Sequence, residues 1–330
     1  VEETCVHTVQ KKLSDFVGEI FSKFDYIVFI MATGIVVRSI APYIISKFSD
    51  PAILVMDEKG KNVISLLSGH IGGANSLTQY ISSLIDANPV ITTATDINQK
   101  ASLDMIAKKL NAHIDNFRES VKEVNSMLVN NKCVGLYVDE GYQVDTRGFK
   151  LIESKDELRD SFSNTYIEKL VVVSNKINCI EDIENLNLDN KFEHCYSTQK
   201  IIKVIPRDIV IGIGCRRNTD SELMYNSLEE FLNKQNIDIR AINTVGSIEL
   251  KKDEKAIIEL SKILKVPFKT FSVDEISKVD NLFDKSDFVK KNVGVYSVAE
   301  PVAYLLSKGN LLVEKHKYKG ITFSVGRIKI

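Results

Sequence analysis

The sequence predicts an α/β fold of several domains, with mostly parallel sheets flanked by helices and an α/β domain at the carboxyl end. Short apolar runs alternate with segments of helical periodicity, which is typical of parallel sheets covered by helices. The chain has 330 residues, more than the roughly 250–300 at which single cores stop growing. Its 44% hydrophobic and 26% charged residues are those of an ordinary globular protein.

The first part of the chain alternates strands and helices. A helical segment that follows the first strand ends near Pro42, because proline cannot continue a helix. The sequence Glu-Lys-Gly at residues 58–60 predicts a hairpin between the second and third strands. The other elements are strands at 26–31, 52–57, 63–67 and 89–92 and helices at 74–86 and 102–110.

The rest of the chain divides into a weakly patterned middle and a clear carboxyl-terminal part. In the middle we predict a helix at 117–128, strands at 134–138 and 170–173, and irregular surface at 178–190. The last part is predicted to contain strands at 209–213, 241–250 and 267–271, a helix at 254–264, a helix after residue 292 and a hairpin of 311–313 with 321–325. We therefore expect an N-terminal α/β domain at 1–114, a middle domain or connector at 115–206, and a C-terminal α/β domain at 207–330.

Charge, hydropathy and cysteine usage give no reason to expect a nucleic acid or a membrane as partner. The 43 basic and 44 acidic side chains nearly cancel, so the whole-chain charge gives no reason to expect nucleic acid. No apolar run is long enough to span a bilayer, and nothing is typical of a signal peptide. The five cysteines are scattered without a CxxC pair, which favours free thiols in a reducing cytosol. We therefore expect a cytoplasmic protein with neither a nucleic acid nor a membrane partner.

Four loops that combine glycine or hydroxyl residues with charged groups follow predicted strands, where ligands of open α/β sheets bind. The first contains Thr33, Gly34 and Arg38. Gly34 permits a tight turn into a helix start, whose amides favour an anion, and Arg38 could pair with a carboxylate. The alternative is a simple strand–helix turn with a surface arginine.

The second loop encloses His70 between Gly69, Gly72 and Gly73. Glycines leave the backbone open to a ligand, and histidine is the side chain best suited to proton transfer near neutral pH. A lone loop histidine is more often structural, but the flanking glycines favour a functional role.

The third loop places Thr93, Thr95 and Asp96 at the end of a strand. Threonine and aspartate commonly cap helices, and capping is the default interpretation. The alternative is that the hydroxyls donate to a carbonyl oxygen of a ligand.

The fourth loop contains Gly212, Gly214, Cys215, Arg216 and Arg217. It begins like a dinucleotide fingerprint but has an arginine where the third glycine is required. The adjacent arginines indicate an anion with carboxylates or phosphate. The cysteine is a candidate nucleophile, although a small buried thiol is the commoner case. The remaining histidines form no ligand cluster with His70, so we expect no protein-bound metal.

Longer stretches of the chain resemble the CbiG family. The run FIMATGIVVRSIAPYIISKFSDPAILVMDEKGKNVISLLSGHIGGAN, continuing to PVITTATD, is similar to the amino-terminal domain of that family. VIGIGCRRNT, VGSIELKKDE and GVYSVAEPVAYL resemble its carboxyl-terminal domain in the same order. The resemblance covers residues 24–110 and 208–325.

The resemblance implies a reaction of anaerobic cobalamin (vitamin B12) biosynthesis. The δ-lactone of cobalt-precorrin-5A, a small-molecule tetrapyrrole, is hydrolysed and acetaldehyde is lost to give cobalt-precorrin-5B. Because cobalt arrives with the substrate, no separate cofactor is implied.

This chemistry assigns candidate roles. Lactone opening needs a base for water and donors for the oxyanion. His70 is the first candidate for base or proton shuttle, Asp96 could orient it, and Glu300 is a second proton-transfer candidate or a helix-start charge. Candidate oxyanion donors are Thr93, Thr95 and the amides of Gly72 and Gly73. Candidate partners of the substrate carboxylates are Arg38, Arg216, Arg217 and Lys251.

Two other functions remain open. A non-catalytic carrier of an anionic tetrapyrrole would use the same arginines and glycine loops without turnover. A nucleotide-binding α/β enzyme would rest on the glycine loops alone, although each nucleotide fingerprint is incomplete. Release of acetaldehyde distinguishes the enzyme from the carrier.

Overall fold

The computed structural model describes residues 6, 8–47, 49–154, 157, 167–179 and 201–330. The chain divides into two compact units, Val1–Met105 with Leu128–Asn131 and Ile106–Met127 with Lys132–Ile330. The described helices are α1 Leu13–Ile20, α2 Thr33–Ile40, α3 Ala74–Ile85, α4 Ala94–Ile97, α5 Leu103–Lys109, α6 Phe117–Val129, α7 Ser221–Lys234, α8 Lys255–Leu264, α9 Val273–Ser277, α10 Asp287–Val293 and α11 Ala299–Leu306. The described strands are β1 Tyr26–Ile30, β2 Ala52–Met56, β3 Asn62–Leu67, β4 Asn88–Val90, β5 Val134–Val138, β6 Lys150–Ile152, β7 Lys169–Val173, β8 Ile201–Val204, β9 Ile209–Cys215, β10 Ile242–Ile248, β11 Phe268–Phe271, β12 Leu311–Tyr318 and β13 Ile321–Arg327.

The first unit is built on a four-stranded sheet in the order β1-β2-β3-β4. The pairs β1–β2 and β3–β4 are parallel, whereas β2–β3 is the antiparallel hairpin that the sequence predicts. Alternate residues of β1, Ile27 and Phe29, are buried with apolar side chains of α1 and α2. The antiparallel pair has a consequence for function, because the carboxyl ends of β1 and β3 lie at opposite edges of this sheet.

The middle of the chain forms a sheet in the order β6-β5-β7-β8, in which every pair is parallel. All five residues of β7 are buried, as expected for a strand covered on both faces. The helix and both strands predicted here are confirmed. Of the predicted irregular segment at 178–190, the residues after Cys179 lie outside the described part of the chain.

The last sheet has the order β11-β10-β9-β13-β12. Strands β9, β10 and β11 are parallel, and β13 runs antiparallel to both β9 and β12. Strand β9 is longer than predicted and includes Gly214 and Cys215, because these residues pair with Thr322 and Ile321 of β13. The α/β fold with mostly parallel sheets is confirmed.

Helix α11 packs very closely on this sheet, over three glycines. A Cβ at Gly212 would overlap the carbonyl oxygen of Ala299, and one at Gly246 would lie 2.8 Å from the side chains of both Leu306 and Val302. At Gly326 it would lie 2.7 Å from the side chain of Ser307. Gly212 is one of the predicted substrate-binding residues. The structure shows that the absence of a side chain at this position allows α11 to pack closely on β9.

A buried polar network lies in the second unit around Asp208, whose side chain is fully buried. Its Oδ2 accepts hydrogen bonds from the Tyr142 hydroxyl at 2.9 Å and from Arg327 Nε at 2.6 Å, and its Oδ1 accepts one from Asn175 Nδ2 at 3.0 Å. Burial and the adjacent carboxylate raise the pKa of Tyr142 above its ordinary value, so the phenol remains a donor. The network connects the middle sheet with the last sheet.

No helix in the described part of the chain combines the length and the apolar character that a bilayer span requires. Cys133, Cys179 and Cys215 each carry a free thiol. The other two cysteines, Cys5 and Cys195, lie outside the described residues.

Candidate active site

The glycine loop between β3 and α3 folds back on itself. Ser68 has a φ of +55° and Gly73 a φ of +90°, and a Cβ at Gly72 would overlap Ser68. The amides of Ala74 and Asn75, at the start of α3, donate to the carbonyl oxygens of Ser68 and Gly69 at 3.2 and 3.0 Å. The loop thus satisfies the first amides of the helix with its own carbonyls, which fixes the position of the residue that it encloses.

His70 lies between two carboxylates. Its Nε2 is 2.7 Å from Asp96 Oδ2, and its Nδ1 is 3.4 Å from Asp104 Oδ2. The side chain of Asp104 is 5% exposed, that of His70 16% and that of Asp96 35%. The three groups therefore form a row with a buried end at Asp104 and a solvent-facing end at Asp96. We call this row, with Thr95, the His70 cluster.

The topology of the first sheet explains why His70 meets Asp96. Strands β3 and β4 are parallel, so the loops that follow them emerge at the same edge of the sheet. The glycine loop follows β3, and Asp96 lies in α4 shortly after β4. Asp104 comes from the first turn of α5. In the same loop region, the hydroxyl of Thr95 is 2.9 Å from His70 Nε2.

Asn75 holds the solvent-facing end of the row. Its Nδ2 donates to Asp96 Oδ2 at 2.8 Å and to Thr93 Oγ1 at 2.9 Å, and its Oδ1 accepts from Ser65 Oγ at 2.6 Å. A Cβ at Gly69 would lie 2.7 Å from the same Oδ1, so this glycine makes room for the amide. Thr93 stands at the N-cap position of α4, but its side chain makes no capping bond. For Thr93, the side-chain contact is therefore with Asn75 and not with the amides at the start of the helix.

The two carboxylates favour the protonated form of the histidine. Asp104 beside Nδ1 raises the pKa of His70, Asp96 acts in the same direction, and partial burial opposes both. Each ring nitrogen of an imidazolium carries a proton and faces a carboxylate. The arrangement therefore favours a protonated His70, and the more exposed Asp96 lies on the solvent side of the ring.

This raised pKa predicts a pH-dependent stability. A group whose pKa is higher in the folded state stabilises that state below its unfolded pKa of about 6.5, and the contribution is lost as pH rises through the folded value. We expect the native protein to exceed His70→Gln in free energy of unfolding at about pH 6 and to lose this advantage toward about pH 9. Urea unfolding of both proteins across this range measures it. A difference that stays constant with pH would contradict the assignment.

Two of the predicted donors differ in availability. The Gly73 amide already donates to the carbonyl oxygen of His70 at 3.0 Å, so it is engaged within the loop. The described residues provide no acceptor for the Gly72 amide. Of the two candidate amides, Gly72 is thus the one open to a ligand.

The first loop lies at the other edge of the sheet. Thr33 and Gly34 follow β1, whose carboxyl end is next to that of β2, whereas the carboxyl end of β3 pairs with the start of β2. Because the β2–β3 hairpin reverses the strand direction, this loop and the His70 cluster follow strands whose carboxyl ends lie at opposite edges of the sheet. The guanidinium of Arg38 is exposed and donates to the carbonyl oxygen of Gly34 at 2.9 Å.

The fourth loop lies in the second unit, at the end of β9. Burial raises the pKa of the Cys215 thiol, which therefore stays protonated near neutral pH and is poorly suited as a nucleophile. Arg217 pairs with Asp253 at 2.6 Å and also donates to the carbonyl oxygen of Leu250. The side chain of Arg216 is exposed.

Lys251 and Glu300 are engaged in ion pairs of their own. Lys251 Nζ lies 3.5 Å from Glu254, and both side chains are largely buried. Glu300, at the start of α11, lies 3.2 Å from Lys315 Nζ and accepts a hydrogen bond from Ser297 Oγ at 3.2 Å. Among the predicted cations, Arg38 and Arg216 have no carboxylate within ion-pair distance in the described ranges.

Three residues around His70 were not among the sequence predictions: Asn75, Ser65 and Asp104. Asn75 is part of the GHIGGAN run, and its nearness to the glycines was the available signal. Asp104 lies in a segment with ordinary helical periodicity, and nothing in that pattern separates it from a surface carboxylate. Ser65 lies inside the predicted strand 63–67, where a small polar residue gives no signal of function.

Comparison with known proteins identifies the family. Residues 15–96 match the model of the cobalamin synthesis G N-terminal domain, 101–188 that of the cobalamin biosynthesis central region, and 209–326 that of the cobalamin synthesis G C-terminus. The cobalt-precorrin-5A hydrolase of Salmonella typhimurium is 41% identical over 311 residues, which cover 93% of this chain and 83% of that protein.

Two further proteins extend this comparison. The cobalt-precorrin-5A hydrolase of Priestia megaterium is 30% identical, over 94% of this chain and 80% of its own length. A crystal structure of a cobalamin biosynthesis protein G homolog from Sulfolobus solfataricus is similar with a TM-score of 0.37 and 23% identity, over 94% of this chain and 85% of that one. The resemblance seen in the sequence is thus confirmed, and the chain belongs to the CbiG family of cobalamin synthesis G proteins.

Proposed function

We propose that the protein is a cobalt-precorrin-5A hydrolase, which opens the δ-lactone of cobalt-precorrin-5A and releases acetaldehyde to give cobalt-precorrin-5B. The observation that carries this proposal is the 41% identity to the Salmonella typhimurium hydrolase over 93% of the chain. The substrate is a small-molecule tetrapyrrole. Its cobalt is part of the substrate, and the proposal includes no further cofactor.

The reaction sets requirements for proton transfer. Water adds to the lactone carbonyl and loses a proton, and the ring oxygen that leaves takes one up, which yields a carboxylic acid and an alcohol. Deprotonation of this alcohol then breaks the bond to the macrocycle, so that acetaldehyde departs and a ring carbon is protonated. Each step thus needs one group that accepts a proton and one that donates a proton.

The His70 cluster supplies both kinds of group. Asp96 is a proposed acceptor, because its Oδ2 is held by His70 and Asn75 while its Oδ1 has no partner among the described side chains and backbone. His70 is the proposed donor, because the neighbouring carboxylates raise its pKa and favour the protonated form. Asp104 does not face solvent, and its proposed role is to position His70 and balance its charge.

Thr95 and the Gly72 amide are the proposed donors for the oxyanion. Thr95 lies within hydrogen-bond distance of His70, and the Gly72 amide has no acceptor in the described part of the loop. The proposed location of the reaction is the cytosol, with the free thiols of the described cysteines as support.

The proposal is tested by incubating the protein with cobalt-precorrin-5A and trapping aldehyde. We expect one acetaldehyde for each substrate consumed, over many turnovers. A carrier of the tetrapyrrole would bind it without releasing acetaldehyde, and that result would replace the proposed function with the carrier alternative. Heat-unfolded protein serves as the control for spontaneous lactone opening.

A further inference from the structure

A cavity of about 360 Å³ lies in the second unit, outside the His70 cluster. Its walls come from the residues before and within α10, from the segment that leads into α11, and from strands β12 and β13. Gly214 of the fourth loop lies behind one wall. A Cβ at this position would come within 3.7 Å of Val298 and 3.8 Å of Thr322, both of which line the cavity.

The cavity has an excess of positive charge. Three lysines line it: Lys285, Lys315 and Lys317. Lys315 is neutralised by Glu300 and Asp284, each 3.2 Å from its Nζ. The other two have no carboxylate within ion-pair distance among the described residues. Two ammonium groups are thus available to a bound anion at one cavity.

One wall of the cavity is apolar or aromatic. Val289, Val298 and Tyr296 line it, and the ring of Tyr296 lies 5.2 Å from Lys285 Nζ. Hydroxyls of Ser286, Ser297 and Thr322 also line the cavity. Such a site offers ammonium and hydroxyl donors for an anionic head and apolar surface for a short methylene stem. These features match an alkyl carboxylate better than a bare inorganic anion.

We propose that this cavity binds carboxylate arms of the tetrapyrrole substrate, with Lys285 and Lys317 as the anion contacts. The inference rests on the proposed function. The volume is at the lower end of ligand pockets, which span roughly 300–1,000 Å³, so the cavity suits peripheral arms and not a whole macrocycle. Lys315, which also lines the cavity, is already paired with Asp284 and Glu300 and is not one of the proposed anion contacts.

The test replaces both free lysines in the full-length protein. Lys285→Gln with Lys317→Gln should raise KM for cobalt-precorrin-5A by on the order of 10- to 100-fold, because two charge-assisted contacts are lost. The value of kcat should stay within about twofold, since neither lysine is in the His70 cluster. The matched control, Lys262→Gln with Lys329→Gln, removes two exposed lysines of the same unit that do not line the cavity and should leave KM unchanged.

A second readout does not depend on turnover. Acetic anhydride should label Lys285 and Lys317 of the native protein more slowly when cobalt-precorrin-5A is present, while inorganic phosphate at the same concentration should not protect them. Unchanged KM in the double variant, or equal protection by phosphate, would overturn the proposal. If the native protein releases no acetaldehyde but the substrate still protects both lysines, the cavity assignment stands and the proposed function fails.

Discussion

Replacing His70 with alanine is expected to lower kcat for acetaldehyde release by roughly 10²–10⁴-fold, the range for loss of general acid–base catalysis. The side chain lies between Asp96 and Asp104, which favour its protonated form. If the imidazolium donates the proton, the native rate should fall as pH rises through the raised pKa, and this limb should vanish in the variant. Single-turnover release of acetaldehyde, measured against pH, provides both values.

Asp104→Asn separates a positioning role from a purely structural one. The amide retains the size of the carboxylate but removes the main cause of the raised pKa of His70, so the falling limb of the pH–rate profile should move to lower pH.

If His70 has only a structural role, its replacement by alanine should lower thermal stability and leave turnover per folded molecule nearly intact. A well-folded His70→Ala protein with near-native turnover would exclude His70 from the mechanism and direct attention to Asp96.

Removing Arg327 is expected to destabilise the protein more than any surface substitution. Arg327→Met would leave the fully buried Asp208 with Tyr142 and Asn175 as its side-chain partners among the described residues. Breaking a buried ion pair from one side costs on the order of 3 kcal/mol, because one charge stays buried without its counter-charge. Urea unfolding with a fixed slope measures the change in the free energy of unfolding.

The matched control for this prediction is Arg217→Met. Arg217 also pairs with an aspartate at 2.6 Å, but both side chains are more than half exposed, so no measurable change is expected. Asp208→Asn combined with Arg327→Met removes both charges and should recover part of the loss. Equal effects of the two single arginine substitutions would show that burial does not govern the Asp208 pair.

Local signals predicted the fold well. Apolar runs of strand length located β1, β5 and β7, and the Glu-Lys-Gly turn located the hairpin of β2 with β3. The carboxyl end of β9 was placed too early, since glycine and cysteine have no strong strand preference. Its pairing with β13, more than a hundred residues later in the chain, keeps these residues in the sheet.

The candidate site could be predicted only in part. His70 and Asp96 follow neighbouring parallel strands, so strand-end reasoning brought them together. Thr33 lies at the opposite edge of the sheet, because the β2–β3 hairpin reverses the strand direction. Asp104 became recognisable only once folding placed α5 beside the imidazole. Lys251 was a candidate from the sequence, but its ion pair with Glu254 is visible only in the folded chain.

The three glycines under α11 have a mechanical consequence. At these glycines α11 lies so close to the sheet that it can neither slide along the strands nor approach them further without atomic overlap. Val298 and Ala299, where this helix begins, line the cavity. This part of the cavity wall is therefore held in a fixed position. Asp284, Lys285 and Ser286 also line the cavity, and no such glycine contact fixes them, so we expect this segment to adjust to a bound ligand more readily than the start of α11.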